Sequence, residues 1–235
     1  MEDPPKDNSG PFKTEVFFDL FGEKDCRKGT IQEVLTAVYG GDKARGLLRS
    51  TNIHNAEARA SLLGKKLAID PDASGLMTDA GIFNSIVSNE PVPIKILYEN
   101  SSFARLGVVV WRNFNDQPSV SGGGAEGLGR RMVTFRIQHQ PARPDTELKS
   151  KLLKEASGIF YWCWKMSKEE MTETLERRGE IKAIADASIE NQLEHQPIIK
   201  FLKDKFQDGE PCIRASDLYE RYKNWCEEEG GKPCK

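Results

Sequence analysis

The stretch GEKDCRKGT, from Gly22 to Thr30, decides the fold of this 235-residue chain. It follows TEVFFDLF (residues 14–21), which is rich in strand-favouring residues, and it precedes apolar positions at helical spacing. The intact motif G-x-x-x-x-G-K-[ST] binds phosphate, because its glycines let backbone N–H groups surround the oxygens and its lysine adds a positive charge. Gly22, Lys28 and Thr30 fit that motif, whereas Arg27 replaces its second glycine. A glycine turn in an unrelated strand–helix unit is the competing interpretation.

Composition restricts the class of protein and of partner. The chain is 38% hydrophobic and 30% charged, which is typical of a globular protein. Its net charge of −2 gives no overall attraction to nucleic acid, so DNA contact requires a local basic patch or a pore built by several subunits. No apolar run is long enough for a membrane helix, and residues 1–11 lack the apolar core of a signal peptide. We therefore predict an intracellular protein without a membrane segment, and its odd number of scattered cysteines favours reduced thiols.

Two later strand patterns place polar side chains where a strand ends. KKLAIDPD (residues 65–72) predicts a short strand followed by Asp70 and Asp72, either of which suits a metal-bound water. An ordinary strand-to-turn exit is the alternative. LGVVVW (residues 106–111) predicts a buried parallel strand. Asn113 and Asn115 follow it, where an amide either orients the attacking water or contacts a terminal phosphate, or simply forms a turn.

Basic residues in two segments are candidates for contacts with other molecules. VPIKILY (residues 92–98) predicts an edge strand or protruding hairpin because of its prolines. Lys95 on it either meets DNA phosphates in a pore or is merely solvated. Residues 117–129 are glycine-rich and predict an exposed loop leading to Arg130 and Arg131. This pair is either an arginine finger acting across a subunit interface or a surface pair bound to a carboxylate.

The pattern becomes helical after residue 145. An apolar stripe continues into the aromatic run FYWCW, which we interpret as core rather than as a base-stacking surface. A second, charged helix follows. The last segment is predicted to be a small helical module, whose helical stretches are separated by a turn around Asp208. We therefore divide the chain into a mobile N-terminus, a P-loop core, a helical region and a small module resembling an incomplete winged helix: residues 1–13, 14–145, 146–196 and 197–235.

Together these segments resemble the C-terminal helicase part of virus-, phage- and plasmid-type primase-helicases, a superfamily 3 branch of the AAA+ ATPases. Four stretches carry the resemblance: GEKDCRKGT, KKLAIDPDASG, WRNFNDQP through GAEGLGRRMV, and LKSKLLKEASGIFYWCW. It implies an α/β fold, namely an AAA+-type P-loop NTPase core with a central, mostly parallel sheet. A helical region and a partial winged-helix-like C-terminal module would follow. The implied function is that of an ATP-dependent DNA helicase motor in replication.

The resemblance also implies roles for single residues. The residues expected to bind ATP are Gly22, Lys28, Gly29 and Thr30. The residues expected at the catalytic centre are Asp72, Asn113, Arg131 and its neighbour Arg130. Mg²⁺ is expected at Asp72 and Thr30, although glycine occupies the usual Ser/Thr metal position of the motif. Lys95 approximately matches a basic residue that contacts DNA.

The implied partners are single-stranded DNA in the pore of a homo-oligomeric ring, a hexamer, and a primase or other replication protein. Arg27 departs from the family pattern, because a side chain there should crowd the nucleotide or force a positive φ on a non-glycine residue. Two alternatives follow. One is a catalytically inactive AAA+ scaffold that binds DNA or a replication partner. The other is a P-loop kinase of small substrates, which the long helical tail does not support.

Overall fold

The computed structural model describes most of the chain, in two compact units, Met1–Ile184 and Ala185–Lys235. The N-terminus that we expect to be mobile (residues 1–13) lies outside the described residues. The described residues are 15–73, 76–77, 80–115, 119–120, 125–137, 140, 142–187, 201–202, 204–206 and 213–228.

A five-stranded, fully parallel sheet with the order β2-β3-β7-β1-β9 forms the centre of the first unit. The predicted α/β class with a central, mostly parallel sheet is therefore confirmed. Two smaller pairs, β4 with β8 and β5 with β6, lie outside this sheet. The strands are β1 (Phe17–Gly22), β2 (Arg45–Leu47), β3 (Leu67–Asp70), β4 (Leu76–Met77), β5 (Val92–Ile94), β6 (Ser102–Ala104), β7 (Val109–Phe114), β8 (Ser119–Val120) and β9 (Met132–Ile137).

Helices connect the strands and cover both faces of the sheet. The α-helices are α1 (Lys28–Val38), α2 (Ala56–Ala60), α3 (Ala80–Val87), α4 (Ala125–Arg131), α5 (Leu148–Lys165), α6 (Lys168–Glu176) and α7 (Ala215–Glu228). Because side chains alternate along a strand, β1 contributes to two cores. Phe17 packs with Phe83 of α3 on one face, and Leu20 packs in the cluster of Ile31 and Leu35 of α1 on the other.

A buried ion pair joins β1 to β7 inside the first of these cores. Arg112 donates two hydrogen bonds to Asp19, at 2.7 Å and 2.6 Å, and both side chains are almost fully buried. The guanidinium also lies 4.7 Å from the ring centre of Phe17 and 5.1 Å from that of Phe83. A bidentate pair of this kind holds the two central strands together and fixes which face of each meets α3.

Two expectations from the sequence are wrong. The predicted glycine-rich loop contains α4, because Leu128 is buried in the core and tertiary packing overrides the low helix propensity of its glycines. The aromatic run at the end of α5 is not core: Phe160, Tyr161, Trp162 and Trp164 are all exposed, and no α5 residue is fully buried. Helix α5 instead lies along α1, where Lys149 forms an ion pair with Glu33.

The second unit has its own small core. Phe201, Tyr222, Trp225 and Cys226 are buried together, with Phe206 and Leu218 packed against them. Helix α7 carries four of these residues and accounts for the amphipathic pattern at the end of the chain. The winged-helix character of this unit remains a prediction. Across the described part of the chain, no helix is long and apolar enough to cross a membrane.

The Asp19–Arg112 pair should contribute strongly to stability. Asp19→Asn removes the negative charge with little change of shape and leaves a buried guanidinium uncompensated, so we expect the free energy of unfolding to fall by about 3 kcal/mol or more. The control is Asp42→Asn, which breaks the surface pair of Arg45 with a carboxylate that is 84% exposed. It should cost less than about 1 kcal/mol. Urea unfolding measures both, and equal losses would contradict this role of the buried pair.

Candidate nucleotide-binding site

The phosphate-loop stretch lies at the carboxyl end of β1 and leads directly into α1. Strand β1 ends at Gly22 and α1 begins at Lys28, so the strand, loop and helix occur in the predicted order. The loop is tightly packed at Gly22: a Cβ atom added there would lie 2.6 Å from Cys26 Sγ and 2.8 Å from the carbonyl oxygen of Ile137. A glycine is therefore required here for packing as well as for the motif.

The loop has the left-handed backbone turns that a phosphate cradle needs. Asp25 and Arg27 have φ angles of 65° and 67°, although neither is glycine. The structure thus has the positive φ that we expected at Arg27, which sits at the N-cap of α1 without a side-chain cap. The loop is also held from outside, since Gln140 Nε2 donates a hydrogen bond of 2.6 Å to the carbonyl oxygen of Lys24.

Lys28 folds back over the loop. Its ammonium group donates to the carbonyl oxygens of Gly22, at 2.5 Å, and Glu23, at 2.6 Å. It also donates to Asn115 Oδ1 at 2.8 Å and lies 3.6 Å from Cys26 Sγ. The ammonium group, with its positive charge, therefore lies at the centre of the loop. Its present acceptors are ones that an anion can replace.

The two candidate carboxylates point to different places. Asp70 is buried, and its Oδ2 accepts hydrogen bonds from the backbone N–H of Ser50 at 2.7 Å and from its hydroxyl at 2.6 Å. These two hydrogen bonds to Oδ2 hold the segment that follows β2. Asp72 is exposed in the turn after β3 and lines the same cleft as Lys28. Asp72 is therefore the one of the pair that can reach a ligand at the loop.

Two amides face the loop, one on β7 and one just after its end, and they make different hydrogen bonds. Asn113 is buried; its Oδ1 accepts from Trp111 Nε1 at 2.7 Å, and its Nδ2 donates to Gln32 at 2.6 Å. Asn115 follows the end of the strand and contacts Lys28 directly. The sequence offers Asn113 and Asn115 together as amides just past this strand, and the resemblance then selects Asn113. Strand alternation puts both residues on one face, and the structure shows that Asn115 is the one in contact with Lys28.

These groups surround a cleft of about 820 Å³ at the carboxyl edge of the sheet. This is where open parallel sheets bind ligands. Gly29 and Thr30 lie on it, as the sequence predicts for nucleotide-binding residues, and so do Asp72 and Asn113. The lining residues are Lys24, Asp25, Cys26, Arg27, Lys28, Gly29, Thr30, Gln32, Pro71, Asp72, Asn113, Asn115, Gln140 and Pro144.

Arg130 and Arg131 lie at the opposite edge of the sheet. Strand β9 begins beside the amino end of β1, with Met132 paired to Phe17 and Ile137 to Gly22. A strand of this length spans about 20 Å, so Arg131 and the loop are separated by the height of the sheet. Arg131 Nη1 donates to the carbonyl oxygen of Gly127 at 3.2 Å, while Arg130 is exposed. Neither arginine lines the cleft.

Lys95 lies where β5 ends, in the hairpin formed by β5 and β6. Its ammonium group is 3.6 Å from a carboxylate oxygen of Glu57. The turn that follows is apolar and exposed: Leu97 and Tyr98 are its most exposed large side chains, and Tyr98 is 97% exposed with a φ of 66°. The sequence singled out the lysine, whereas the most exposed large apolar side chains of the hairpin are Tyr98 and Phe103, followed by Leu97.

Charged side chains of both signs line the cleft or lie beside it. Among the described residues there is no group of three or more His, Cys, Asp and Glu side chains that suits a metal ion. The pKa of Asp145 is below its ordinary value, chiefly because Lys151 donates a hydrogen bond to it; the backbone N–H of Glu147 and the charge of Arg27 act in the same direction. Asp145 is thus an anionic neighbour of the loop.

Two solved apo structures of the C-terminal region of NrS-1 share this fold. One, in its A form, superposes with a TM-score of 0.54 at 15% identity, covering 88% of this chain and 53% of that one. The other gives a TM-score of 0.55 at 14% identity, covering 82% and 49%. This chain therefore spans about half the length of those structures. No model of a known protein family and no curated protein sequence matches it.

Glycine substitutions test the described loop. Gly22→Ala places a methyl group against Cys26 Sγ and a backbone oxygen, so it should lower the free energy of unfolding by about 1–3 kcal/mol. Gly29→Ala is the matched control, because it has no atom within 4 Å of the added methyl and lies within α1. Alanine favours a helix, so this variant should be unchanged or more stable by up to about 1 kcal/mol. Denaturant unfolding distinguishes them; an unaffected Gly22→Ala protein would contradict the close loop.

Proposed function

We propose that this chain is the motor module of a ring-shaped, ATP-dependent DNA helicase that works in replication. One observation carries the proposal: Lys28, Asn115 and Asp72 come from three separate segments and meet around the phosphate-loop cleft. A cation, an amide and a carboxylate in this arrangement suit phosphoryl transfer from a nucleoside triphosphate. The fold shared with the C-terminal region of NrS-1 and the resemblance to primase-helicases support the same assignment.

The residues present fit ATP with Mg²⁺. The loop has left-handed turns at Asp25 and Arg27, and Lys28 offers a cation whose present partners are replaceable acceptors. Mg²⁺ usually needs only one or two protein carboxylates beside the phosphates of its nucleotide, so Asp72, with Thr30 at the helix start, is sufficient. When bound, Mg·ATP supplies the transferable phosphoryl group and a counter-charge to its oxygens.

Each protein group then has a distinct task. Lys28 exchanges its carbonyl partners for phosphate oxygens and stabilises their charge. Asn115, released from Lys28, can orient the attacking water or hydrogen-bond to the terminal phosphate, while Asn113 holds α1 against β7 through Gln32. Asp72 binds the metal and accepts a hydrogen bond from water.

The position of Arg131 supports a ring. A finger arginine must touch the charge that develops on the transferred group, and Arg131 lies at the other edge of its own sheet. Its target is therefore the cleft of a neighbouring copy. This requirement motivates the homo-oligomer, and six copies are the number the resemblance suggests.

The hairpin supports a contact with single-stranded DNA. Exposed aromatic and apolar side chains stack on bases without sequence preference, and Tyr98 projects from a turn beside the basic Lys95. A helicase must hold its substrate in this sequence-independent way.

Nucleotide titration by calorimetry separates the scaffold alternative from the motor: tight ATP binding with turnover excludes the scaffold, and absence of ATP binding excludes the motor.

Mixing two inactive variants tests whether the site is shared between copies. Lys28→Ala and Arg131→Ala should each lower ATP turnover by about a thousandfold, because each removes a charge that faces the phosphates. A mixture of the two should regain activity, since a boundary between an Arg131→Ala copy and a Lys28→Ala copy contains one complete site. Turnover is measured as phosphate release at constant total protein.

The control for this mixture is a protein carrying both substitutions, mixed with the Lys28→Ala protein. Every boundary then lacks Lys28, so no activity should return. Activity that stays absent in the first mixture, although native mass spectrometry shows mixed rings, would contradict a finger acting between copies.

The hairpin is tested by its effect on DNA-dependent turnover. Tyr98→Ala should abolish most of the stimulation by single-stranded DNA and leave basal ATP turnover unchanged, because stacking on bases is worth about 1–3 kcal/mol per base. Tyr219→Ala, at another exposed tyrosine in the second unit, is the matched control. Equal stimulation of the Tyr98→Ala and wild-type proteins would sink the hairpin contact.

A further inference from the structure

Arg27 has a guanidinium group whose N–H donors form no hydrogen bond within the described part of the chain. The residue is half-buried and lines the cleft beside Lys28. Within the described residues its side chain makes no hydrogen bond or ion pair, although its charge acts on Asp145, and no side-chain bond caps the helix that it precedes. Its five N–H donors lie at the wall of the cleft, where an acceptor from outside the chain can reach them.

The electrostatics around Arg27 favour an anion. Lys24, Arg27 and Lys28 bring three positive charges to the start of α1, against the two carboxylates of the cleft lining, Asp25 and Asp72, and the first turn of that helix contains no acidic residue. The amino end of a helix is itself positive, so these cations repel it and one another. Asp145 offsets part of this charge, but its carboxylate is already hydrogen-bonded to Lys151. A polyanion in the cleft would relieve the remaining repulsion.

The backbone adds a further cost. Arg27 has a φ of 67°, which a residue with a side chain adopts at an expense that glycine avoids. Glycine at this position would give the same turn with less strain. Such an outlier motivates the search for a function of the side chain, and the charge of this side chain lies on the phosphate-loop cleft.

We propose that Arg27 is a phosphate ligand: its guanidinium binds the polyphosphate chain of a nucleoside triphosphate together with Lys28. Arg27 thus takes part in recognition instead of blocking the loop. This inference rests on the proposed function, because it needs a nucleotide in the cleft. A planar guanidinium binds two phosphate oxygens at once, which the point charge of a lysine does not do.

Three substitutions of Arg27 in the full chain test the proposal, with Mg·ATP as the probe in titration calorimetry and with the melting temperature of the free protein as a second measurement. Arg27→Ala keeps the backbone strain and removes the guanidinium with its repulsion, so affinity should fall about ten- to a hundredfold, with a melting temperature equal to or slightly above that of the wild type and below that of Arg27→Gly. Arg27→Gly should lose affinity to a similar extent while melting at a higher temperature, because glycine relieves the strain. Arg27→Lys should bind with intermediate affinity.

Arg45→Ala is the control for net charge. It removes one positive charge at the surface, where Arg45 pairs with Asp42 away from the cleft lining. Its affinity for Mg·ATP should equal that of the wild type. A tenfold loss here as well would show that overall charge, not Arg27, sets the affinity, and would overturn the proposal.

The outcomes separate this inference from the proposed function. If the wild type binds Mg·ATP and Arg27→Gly binds it equally well or more tightly, Arg27 is an obstacle and the inference is wrong, while the nucleotide site stands. If only Arg27→Gly binds, the inference is again overturned. If the folded wild type and all variants fail to bind, the proposed function is wrong and the inference falls with it.

Discussion

The parallel pairing of β1 between β7 and β9 is the constraint on which the rest of the structure depends. It places the carboxyl ends of β1, β3 and β7 at one edge of the sheet, so that the phosphate loop, Asp72 and Asn115 meet there although they are far apart in sequence. The buried Asp19–Arg112 pair ties the two central strands of this arrangement together. The same pairing puts the start of β9, and Arg131 with it, at the other edge.

Much of the fold follows from local patterns. Strand β1, the loop and α1 were predictable because strand-favouring residues, glycine and helical spacing succeed one another within about 25 residues. Helix α4 was not, since its glycines favour a loop and only the burial of Leu128 makes it a helix. The exposed aromatic residues of α5 were misjudged for the opposite reason, because an apolar pattern shows which side chains gain from burial and not what covers them.

The candidate site shows a similar limit. Motif spacing is local, so it identified Lys28 and the residues around it. The resemblance favoured Asp72 over Asp70, and the sequence placed Asn115 beside Asn113. The physical reasons lie in the hydrogen bonds of Asp70 with Ser50 and in the 2.8 Å contact of Asn115 with Lys28. Both are contacts between distant segments, which one sequence does not reveal. The roles of these residues in nucleotide binding and catalysis remain predictions.

The hairpin and the strand that leads to the cleft form one continuous segment of the chain. The hairpin ends at Ala104, and a short link leads straight into β7, whose far end presents Asn115 to Lys28. The link is anchored at Asn89, which accepts hydrogen bonds from Arg105 and from the backbone N–H of Gly107. The exposed turn at Tyr98 and the amide that contacts Lys28 are therefore separated along the chain only by one hairpin strand, the short link and one sheet strand, and that sheet strand is paired on both sides, with β1 and β3.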